Sequence, residues 1–228
     1  MNEFFIASKL YRDYSQKEGN QHIASEYNLY HILKYAKDKQ VSKVLEIGTG
    51  IGTILSLFQE AKKVGFLDLK KYVGTEENSY CLQQIKLNCL PEKEAGFEQI
   101  IVEEGDEIQP DKFEFAIVDG KASNLETIVS EFLTENALIL IEGYREDQVN
   151  RIKMELDKMR WPYAYFMRFS TWRNPDYGPF RQKFQAGHTI FFINPSQKEI
   201  ELCKKLKTFA RLRYNARKVF NFRNWVNK

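Results

Sequence analysis

The chain has 228 residues, of which 43% are hydrophobic and 29% charged, and its formal net charge is +3. These values are typical of a globular protein with one sizeable core. The longest purely apolar run, residues 137–141, is far too short to span a membrane. The amino-terminal residues lack the basic and apolar stretches of a signal peptide, so we expect none.

The predicted elements alternate between helix and strand along most of the chain. Apolar residues at helical spacing predict helices, and short apolar runs ending in glycine or an acid predict strands. Helices are expected over residues 25–37, 51–61, 78–89, 124–133 and 147–159. Strands are expected over residues 43–48, 72–76, 98–106, 113–120, 136–143, 163–170 and 188–195. The alternation predicts a three-layer, doubly wound α/β fold around a parallel sheet.

The last two predicted strands break this alternation. The segment between them, residues 171–187, is rich in turn-forming residues and has no helical pattern. Strand seven is therefore expected to run antiparallel to a mostly parallel, seven-stranded sheet. Ligands of doubly wound sheets bind outside the carboxyl ends of the strands, so we expect this segment to overhang the binding crevice.

The sharpest chemical signal is the stretch VLEIGTGIG, residues 44–52. Gly48, Gly50 and Gly52 follow the first strand with a G-x-G-x-G spacing, whereas the dinucleotide fingerprint is G-x-G-x-x-G. Glu46 precedes them, at a place where a carboxylate would repel a pyrophosphate and attract a positive group. A glycine turn that merely packs a helix on a strand is the structural alternative.

This stretch resembles the first motif of the class I S-adenosylmethionine-dependent methyltransferases, and the resemblance runs from about residue 43 to residue 193. It implies a Rossmann-like fold with S-adenosylmethionine as cofactor. It also implies that Glu46 lies near the methionine amino group, and that Gly48, Thr49, Gly50 and Gly52 pass beneath the cofactor.

Two further acids follow successive strands. Glu76 ends the second strand, where the resemblance implies an acceptor for both ribose hydroxyls, and Glu77 is adjacent to it. Asp106 ends the third strand, where the resemblance implies a partner for the adenine amino group. One such acid alone would be read as a solvated loop carboxylate. Acids at three successive strand ends favour a ligand site instead.

Asp119 follows the fourth strand in AIVDG, which is similar to the hhhDG pattern of a subset of O-methyltransferases. We predict that it borders the cofactor and acts as a base or metal ligand near the transferred methyl group. The alternative is that Asp119 only caps the following helix or orients the loop. Glu142 is a second candidate ligand for Mg²⁺, but Gly143 stands where the resemblance implies asparagine, so metal dependence is left open.

His188 opens strand seven at the same edge of the sheet and is a second candidate base. A structural histidine is the alternative. The segment 171–187 interleaves aromatic and cationic residues, which suit stacking on a ring or sugar and pairing with anionic groups. It is therefore expected to select the methyl acceptor, with an oligomer contact as the other interpretation.

The chain divides into a methyltransferase domain, residues 1–195 with an amino-terminal helical segment, and a basic amphipathic helical extension, residues 196–228. The extension opens with a capping box, SQKE. Residues 201–228 hold nine Lys or Arg and one Glu, a net +8, so the preceding 200 residues carry −5. Packing on the body is the default for the extension, an anionic membrane surface comes second, and nucleic acid third.

Together these patterns predict a methyltransferase that acts on oxygen of a small molecule or saccharide. The alternatives are an RNA methyltransferase that uses the extension and a cofactor-binding protein without catalysis. The three cysteines form no C-x-x-C pair, so reduced thiols and a cytoplasmic location are expected, with peripheral contact at the inner membrane face as a variant. Homo-oligomerisation is left open.

Overall fold

The computed structural model describes residues 2–103, 107–120, 122–170, 172 and 185–208. The predictions for Asp106, for most of the segment 171–187 and for the extension beyond residue 208 lie outside these residues.

Seven strands form one sheet. They are β1 (Lys43–Ile47), β2 (Lys71–Thr75), β3 (Glu98–Val102), β4 (Phe113–Val118), β5 (Leu133–Glu142), β6 (Tyr163–Arg168) and β7 (His188–Ile193). Their order across the sheet is β3-β2-β1-β4-β5-β7-β6. Strands β1 to β5 pair in parallel, and β7 runs antiparallel between β5 and β6. The predicted mostly parallel sheet with an antiparallel last strand is confirmed.

Helices cover both faces of the sheet. The helices are α1 (Glu3–Ser15), α2 (Glu26–Asp38), α3 (Thr53–Lys63), α4 (Ser79–Asn88), α5 (Glu92–Ala95), α6 (Leu125–Thr127) and α7 (Glu146–Lys158). Successive strand residues point to opposite faces, so Phe115 of β4 packs with α1, α2 and α3, and Ala116 packs with α6 and α7. The three predicted layers follow from this alternation.

The helix predicted over residues 124–133 is found over residues 125–132, but its second part is not α-helical. Helix α6 continues into a π-helical turn, Ile128–Phe132, and β5 begins directly after it at Leu133. Leu133 pairs with Phe113 at the start of β4, with a register shift before Phe115. Because this pairing draws Leu133 into the sheet, β5 begins before its predicted start at residue 136.

The start of the extension packs on the body. The predicted capping box is present, since the Ser196 amide and hydroxyl both donate to Oε2 of Glu199. A helix over residues 197–208 buries Cys203 and rests Leu206 on the core, while Glu199 pairs with Lys39 at 2.5 Å. Within the described residues, no helix has the length and apolar character of a membrane span. The domain boundary itself stays a prediction.

Candidate active site

A cavity of about 920 Å³ opens at the carboxyl ends of β1, β2 and β4. Four of the predicted site residues line it: Gly48, Gly50, Glu76 and Asp119. Residues 107–110 after β3 and 122–124 after β4 form further walls, and residues 21–23 close one side. The chain therefore brings the strand-end residues together as the parallel topology predicted.

The glycine loop after β1 needs glycine for two physical reasons. Gly48 and Gly50 have φ of +86° and +57°, a region that side chains disfavour. A Cβ on Gly50 would also lie 2.4 Å from the carbonyl oxygen of His22, and one on Gly48 would lie 3.0 Å from Cα of Gly120. The loop is thus pressed between residues 21–23 and the turn after β4.

Thr49 and Gly52, the other predicted members of this loop, have packing roles. The Thr49 hydroxyl donates to the carbonyl of Thr75 at 3.2 Å and fills the space beside Gly74. Gly52 begins α3, where a Cβ would lie 2.4 Å from Sγ of Cys89. These contacts anchor the glycine loop to β2 and α4.

Glu76 bridges two backbone amides. Its Oε2 accepts from the amide of Gly50 at 2.6 Å, and its Oε1 accepts from the amide of Asn78 at 2.8 Å. Asn78 in turn caps α4. Both carboxylate oxygens keep further lone pairs, because a carboxylate accepts about four hydrogen bonds. Glu76 can therefore hold the loop and still accept from hydroxyl groups of a ligand.

Glu46 is buried, with 1% of its surface exposed, and its Oε2 has no hydrogen-bond partner among the described residues. Burial raises the pKa of this carboxyl well above its usual range, and the nearby Glu142 and Glu76 raise it further. Such a group is costly in an apolar interior unless something pairs with it. A positively charged group close to this carboxyl would relieve that cost, although Glu46 is not among the residues that line the cavity.

Asp119 borders the cavity and lies close to Glu142. Burial raises the pKa of Asp119 well above its usual range. Glu142 raises this pKa further, because the two carboxyl groups are close enough for a hydrogen bond between them, and that bond requires one proton. Arg145 opposes this effect, with its guanidinium 3.7 Å from Oδ1 of Asp119. The same guanidinium donates to the carbonyl oxygens of Asp119 and Gly120, so it also fixes the turn after β4.

Asp119 and Glu142 supply only part of a donor set for Mg²⁺. Oε1 of Glu142 already accepts from the Asn28 side chain at 2.5 Å and from the Ser25 amide at 3.2 Å, whereas its Oε2 has no partner among the described residues. The Arg145 guanidinium lies 3.7 Å from Oδ1 of Asp119, and the described residues contain no group of three His, Cys, Asp or Glu suited to a metal ion. Mg²⁺ takes six oxygen ligands, several of which can be water. Metal dependence therefore stays a prediction.

His188 lies at the predicted edge of the sheet but is fully buried behind the cavity. Its Nδ1 is 2.9 Å from Oδ1 of Asn28, and its Nε2 is 3.1 Å from the Tyr35 hydroxyl. Burial lowers the pKa of His188 to about 3, with Arg168 as a further cause. Its role as a base stays a prediction, and these contacts favour a structural one.

The described ends of the segment 171–187 contact the amino-terminal helices. The Trp172 ring lies 5.4 to 5.6 Å from the rings of Phe4, Tyr27 and Tyr30. The side chain of Gln185 accepts from the amide of Tyr27 at 2.8 Å. The overhang above the cavity and its role in acceptor choice stay predictions.

Three contributors to the site were not predicted from the sequence. They are Arg145, Asn28 and the residues 21–23 that close the cavity. Arg145 follows β5 at the ligand edge, and that position is a signal that could have pointed to it. Asn28 lies on an amphipathic helix, where an asparagine carries no recognisable signal of this contact.

No model of a protein family matches this sequence, and a search of curated proteins also finds no match. Solved structures do match it. The O-methyltransferase from Bacillus cereus in complex with SAH has a TM-score of 0.54 at 11% identity, covering 83% of this chain and 91% of that one. The precorrin-6y C5,15-methyltransferase from Geobacter metallireducens GS-15 has a TM-score of 0.54 at 17% identity, covering 77% of this chain and 91% of that one. The tRNA (m1A58) methyltransferase from Aquifex aeolicus has a TM-score of 0.53 at 16% identity, covering 82% of this chain and 76% of that one.

The sheet order defines a doubly wound α/β protein with a cavity at the carboxyl edge of the sheet, the edge at which sheets of this kind bind ligands. Its fold is that of the class I methyltransferases. At these identities the likeness shows the fold alone, and the names of the three neighbours give different methylated groups. The fold therefore does not identify the methyl acceptor of this chain.

Proposed function

We propose that the protein is an S-adenosylmethionine-dependent methyltransferase that methylates oxygen of a small molecule or saccharide. The observation that carries the cofactor is the buried Glu46 with its unpartnered oxygen, two residues before the first glycine of the loop. S-adenosylmethionine has a cationic amino group and a sulfonium, which suit an acid at this place, and it has no phosphate to be repelled.

The cavity and the buried carboxyl beside it offer a partner for each part of this cofactor. Glu46 is not among the cavity-lining residues but precedes Gly48 by two residues, and it would attract the amino group. Gly48 and Gly50 line the cavity and would present their backbone to the ligand. Glu76 has lone pairs left for two ribose hydroxyls. Ile108, Pro110 and Phe132 line the cavity with apolar surface that suits a flat ring. Asp106 remains the proposed partner of the adenine amino group.

When bound, the cofactor supplies an electrophilic methyl group carried on its sulfonium. Little else is needed for transfer beyond an in-line approach of the acceptor and removal of its proton. Asp119 is the residue that we propose for proton removal. Only the ionised form of Asp119 can accept a proton, and the Arg145 guanidinium, 3.7 Å from Oδ1, favours that form. Once ionised, Asp119 is a stronger base than an ordinary carboxylate because burial raises its pKa.

The charge of the cavity favours an acceptor that is not a polyanion. The described lining residues include the carboxylates of Glu76, Glu77, Glu103, Glu107, Asp119 and Glu131, against the one guanidinium of Arg145. A cleft lined mainly by one sign of charge attracts the opposite sign. This lining supports a neutral or cationic small acceptor over RNA. Contact of the extension with a membrane or nucleic acid stays a prediction.

The proposal is tested in two steps. Calorimetry should detect binding of S-adenosylhomocysteine (SAH) and S-adenosylmethionine to the wild type. Methyl transfer from labelled S-adenosylmethionine is then screened against pooled saccharides and small hydroxyl compounds. In that screen Asp119→Asn should bind SAH normally and lose transfer. Absence of SAH binding would reject the methyltransferase assignment, and binding without transfer to any pool would favour the cofactor-binding protein without catalysis.

A further inference from the structure

A line of buried polar contacts runs behind the cavity and joins four elements. Arg168 of β6 donates to the hydroxyl of Tyr35 at 3.3 Å, and that hydroxyl lies 3.1 Å from Nε2 of His188. Nδ1 of His188 lies 2.9 Å from Oδ1 of Asn28, and Nδ2 of Asn28 donates to Oε1 of Glu142 at 2.5 Å. The line therefore connects β6, β7 and α2 to the acid at the end of β5.

The chemistry of these groups determines the direction of each hydrogen bond. A carboxylate only accepts, so the Asn28 amide must present its nitrogen to Glu142 and its oxygen to His188. The Nδ1 of His188 must then carry the proton that is donated to Asn28. The imidazole is neutral because burial lowers its pKa to about 3, so Nε2 accepts from Tyr35. His188 thus favours the orientation of the Asn28 amide in which Nδ2 donates to Glu142.

The other end of the line reaches the cavity. Oε1 of Glu142 also accepts from the amide of Ser25 at 3.2 Å, and the Ser25 hydroxyl caps α2. Residues 21–25, here called the cavity strap, lead into this cap, and residues 21–23 line the cavity. The strap carbonyl of His22 is the group that touches the glycine loop at Gly50. The placement of Glu142 therefore contributes to where the strap lies over the loop.

We propose that His188 is a positioning residue: through Asn28 and Glu142 it fastens the cavity strap over the glycine loop, and so sets the affinity of the cavity for its adenosyl cofactor. The part that concerns the cofactor rests on the function proposed above. The part that concerns the strap rests on the contacts alone. Ser25 and Asn28 also contact the carbonyls of Ala186 and Gly187 at 3.3 Å, so loss of His188 should loosen the strap without detaching it.

Two substitutions of His188 separate the two hydrogen bonds that its imidazole ring makes, one with Asn28 and one with Tyr35. The side-chain amide nitrogen of asparagine is as many bonds from the backbone as Nδ1, and the amide group of glutamine corresponds to Nε2. His188→Asn therefore retains a donor for Asn28 and loses the contact with Tyr35. His188→Gln retains the contact with Tyr35 and loses the donor for Asn28. Thermal unfolding of both variants provides the matched control for general destabilisation.

Two readouts apply to the whole protein. Amide hydrogen exchange of the strap should rise about tenfold in His188→Gln and stay near the wild-type rate in His188→Asn. Calorimetry should show SAH binding that is about tenfold weaker in His188→Gln and nearly unchanged in His188→Asn. In an Asn28→Leu background, His188→Gln should add no further loss, because its effect passes through Asn28.

The outcomes separate the two proposals. Faster strap exchange and weaker SAH binding in His188→Gln alone would support the positioning role. Equal exchange and equal SAH affinity in His188→Gln and wild type would overturn it, as would additive losses in the Asn28→Leu background. If wild type binds no SAH, the methyltransferase proposal fails, while the exchange rates still decide whether His188 fastens the strap.

Discussion

The amide of Gly50 donates a 2.6 Å hydrogen bond to Oε2 of Glu76, which joins the loop after β1 to the acid after β2. The carboxylate thus has two functions in the proposed site. It holds the glycine loop in place, and it offers its remaining lone pairs to the ribose hydroxyls. Loss of Glu76 should therefore affect ligand binding through both routes.

Glu76→Ala should weaken SAH binding by about ten- to a hundredfold, the scale of one or two hydrogen bonds to a charged group. Calorimetry measures this directly. Glu77→Ala is the matched control, because Glu77 is adjacent and exposed and also borders the cavity. Equal losses in the two variants would show that only general negative charge matters here, and would contradict the assigned role of Glu76.

Gly50→Ala should both destabilise the protein and abolish SAH binding. The substitution places a Cβ 2.4 Å from the His22 carbonyl on a backbone with φ of +57°. Gly65→Ala is the control, because Gly65 has φ of +66° and nothing within 4 Å of a Cβ. Gly65→Ala should cost about 1–2 kcal/mol from backbone strain alone and leave binding intact. Denaturant unfolding should show about 3 kcal/mol or more for Gly50→Ala.

Glu46→Gln should stabilise the protein at neutral pH while weakening the binding of S-adenosylmethionine. The folded-state pKa of Glu46 is raised, so the unfolded chain releases this proton at lower pH than the folded one. The wild type therefore loses stability as pH rises above about 4.5, and the glutamine variant does not.

Denaturant unfolding of both proteins from about pH 4 to about pH 8 measures this effect. The advantage of Glu46→Gln should be smallest at the acidic end and should grow with pH. The exposed control Glu77→Gln should stay within about 0.5 kcal/mol of the wild type throughout. A constant difference across the range would mean that the Glu46 carboxyl titrates normally in the folded protein.

Added salt should weaken the binding of S-adenosylmethionine more than that of SAH, by up to about fivefold. The two ligands differ by the positive sulfonium, and the described cavity lining is rich in carboxylates, which salt screens. Glu107→Gln should reduce this difference. Glu135→Gln, which removes an exposed acid on β5 that is not among the lining residues, should not. Calorimetry with both ligands across a salt series is the measurement.

Much of the fold could be predicted because strand and helix patterns repeat locally. Each predicted strand was found, with ends displaced by a few residues. The helix over residues 124–133 was also found, at residues 125–132, although its second part is π-helical. The start of β5 at Leu133 was not predicted, because the pairing of Leu133 with Phe113 is a tertiary contact that no local pattern shows.

The candidate site likewise has a part that local sequence patterns predict and a part that they do not. Glu46, Glu76 and Asp119 lie at strand ends, and parallel topology brings strand ends together. The contacts of Asn28 with Glu142 and His188 span 114 and 160 residues of sequence. Such contacts depend on how α2 packs across the sheet, which neither hydrophobic period nor motif spacing expresses. The grouping of these strand-end residues could therefore be predicted, and the contacts of Asn28 could not.

The unpartnered carboxyl oxygen of Glu46 has a consequence for engineering. Selection for folding stability alone, in the laboratory or by computation, would replace this side chain by a neutral one of similar size, since the replacement removes a buried acid without a partner for one of its oxygens. Variants improved in this way would tolerate more heat and would lose the acidic group on which the proposed cofactor site depends. Heat tolerance and cofactor affinity should accordingly be screened together in any variant library of this protein.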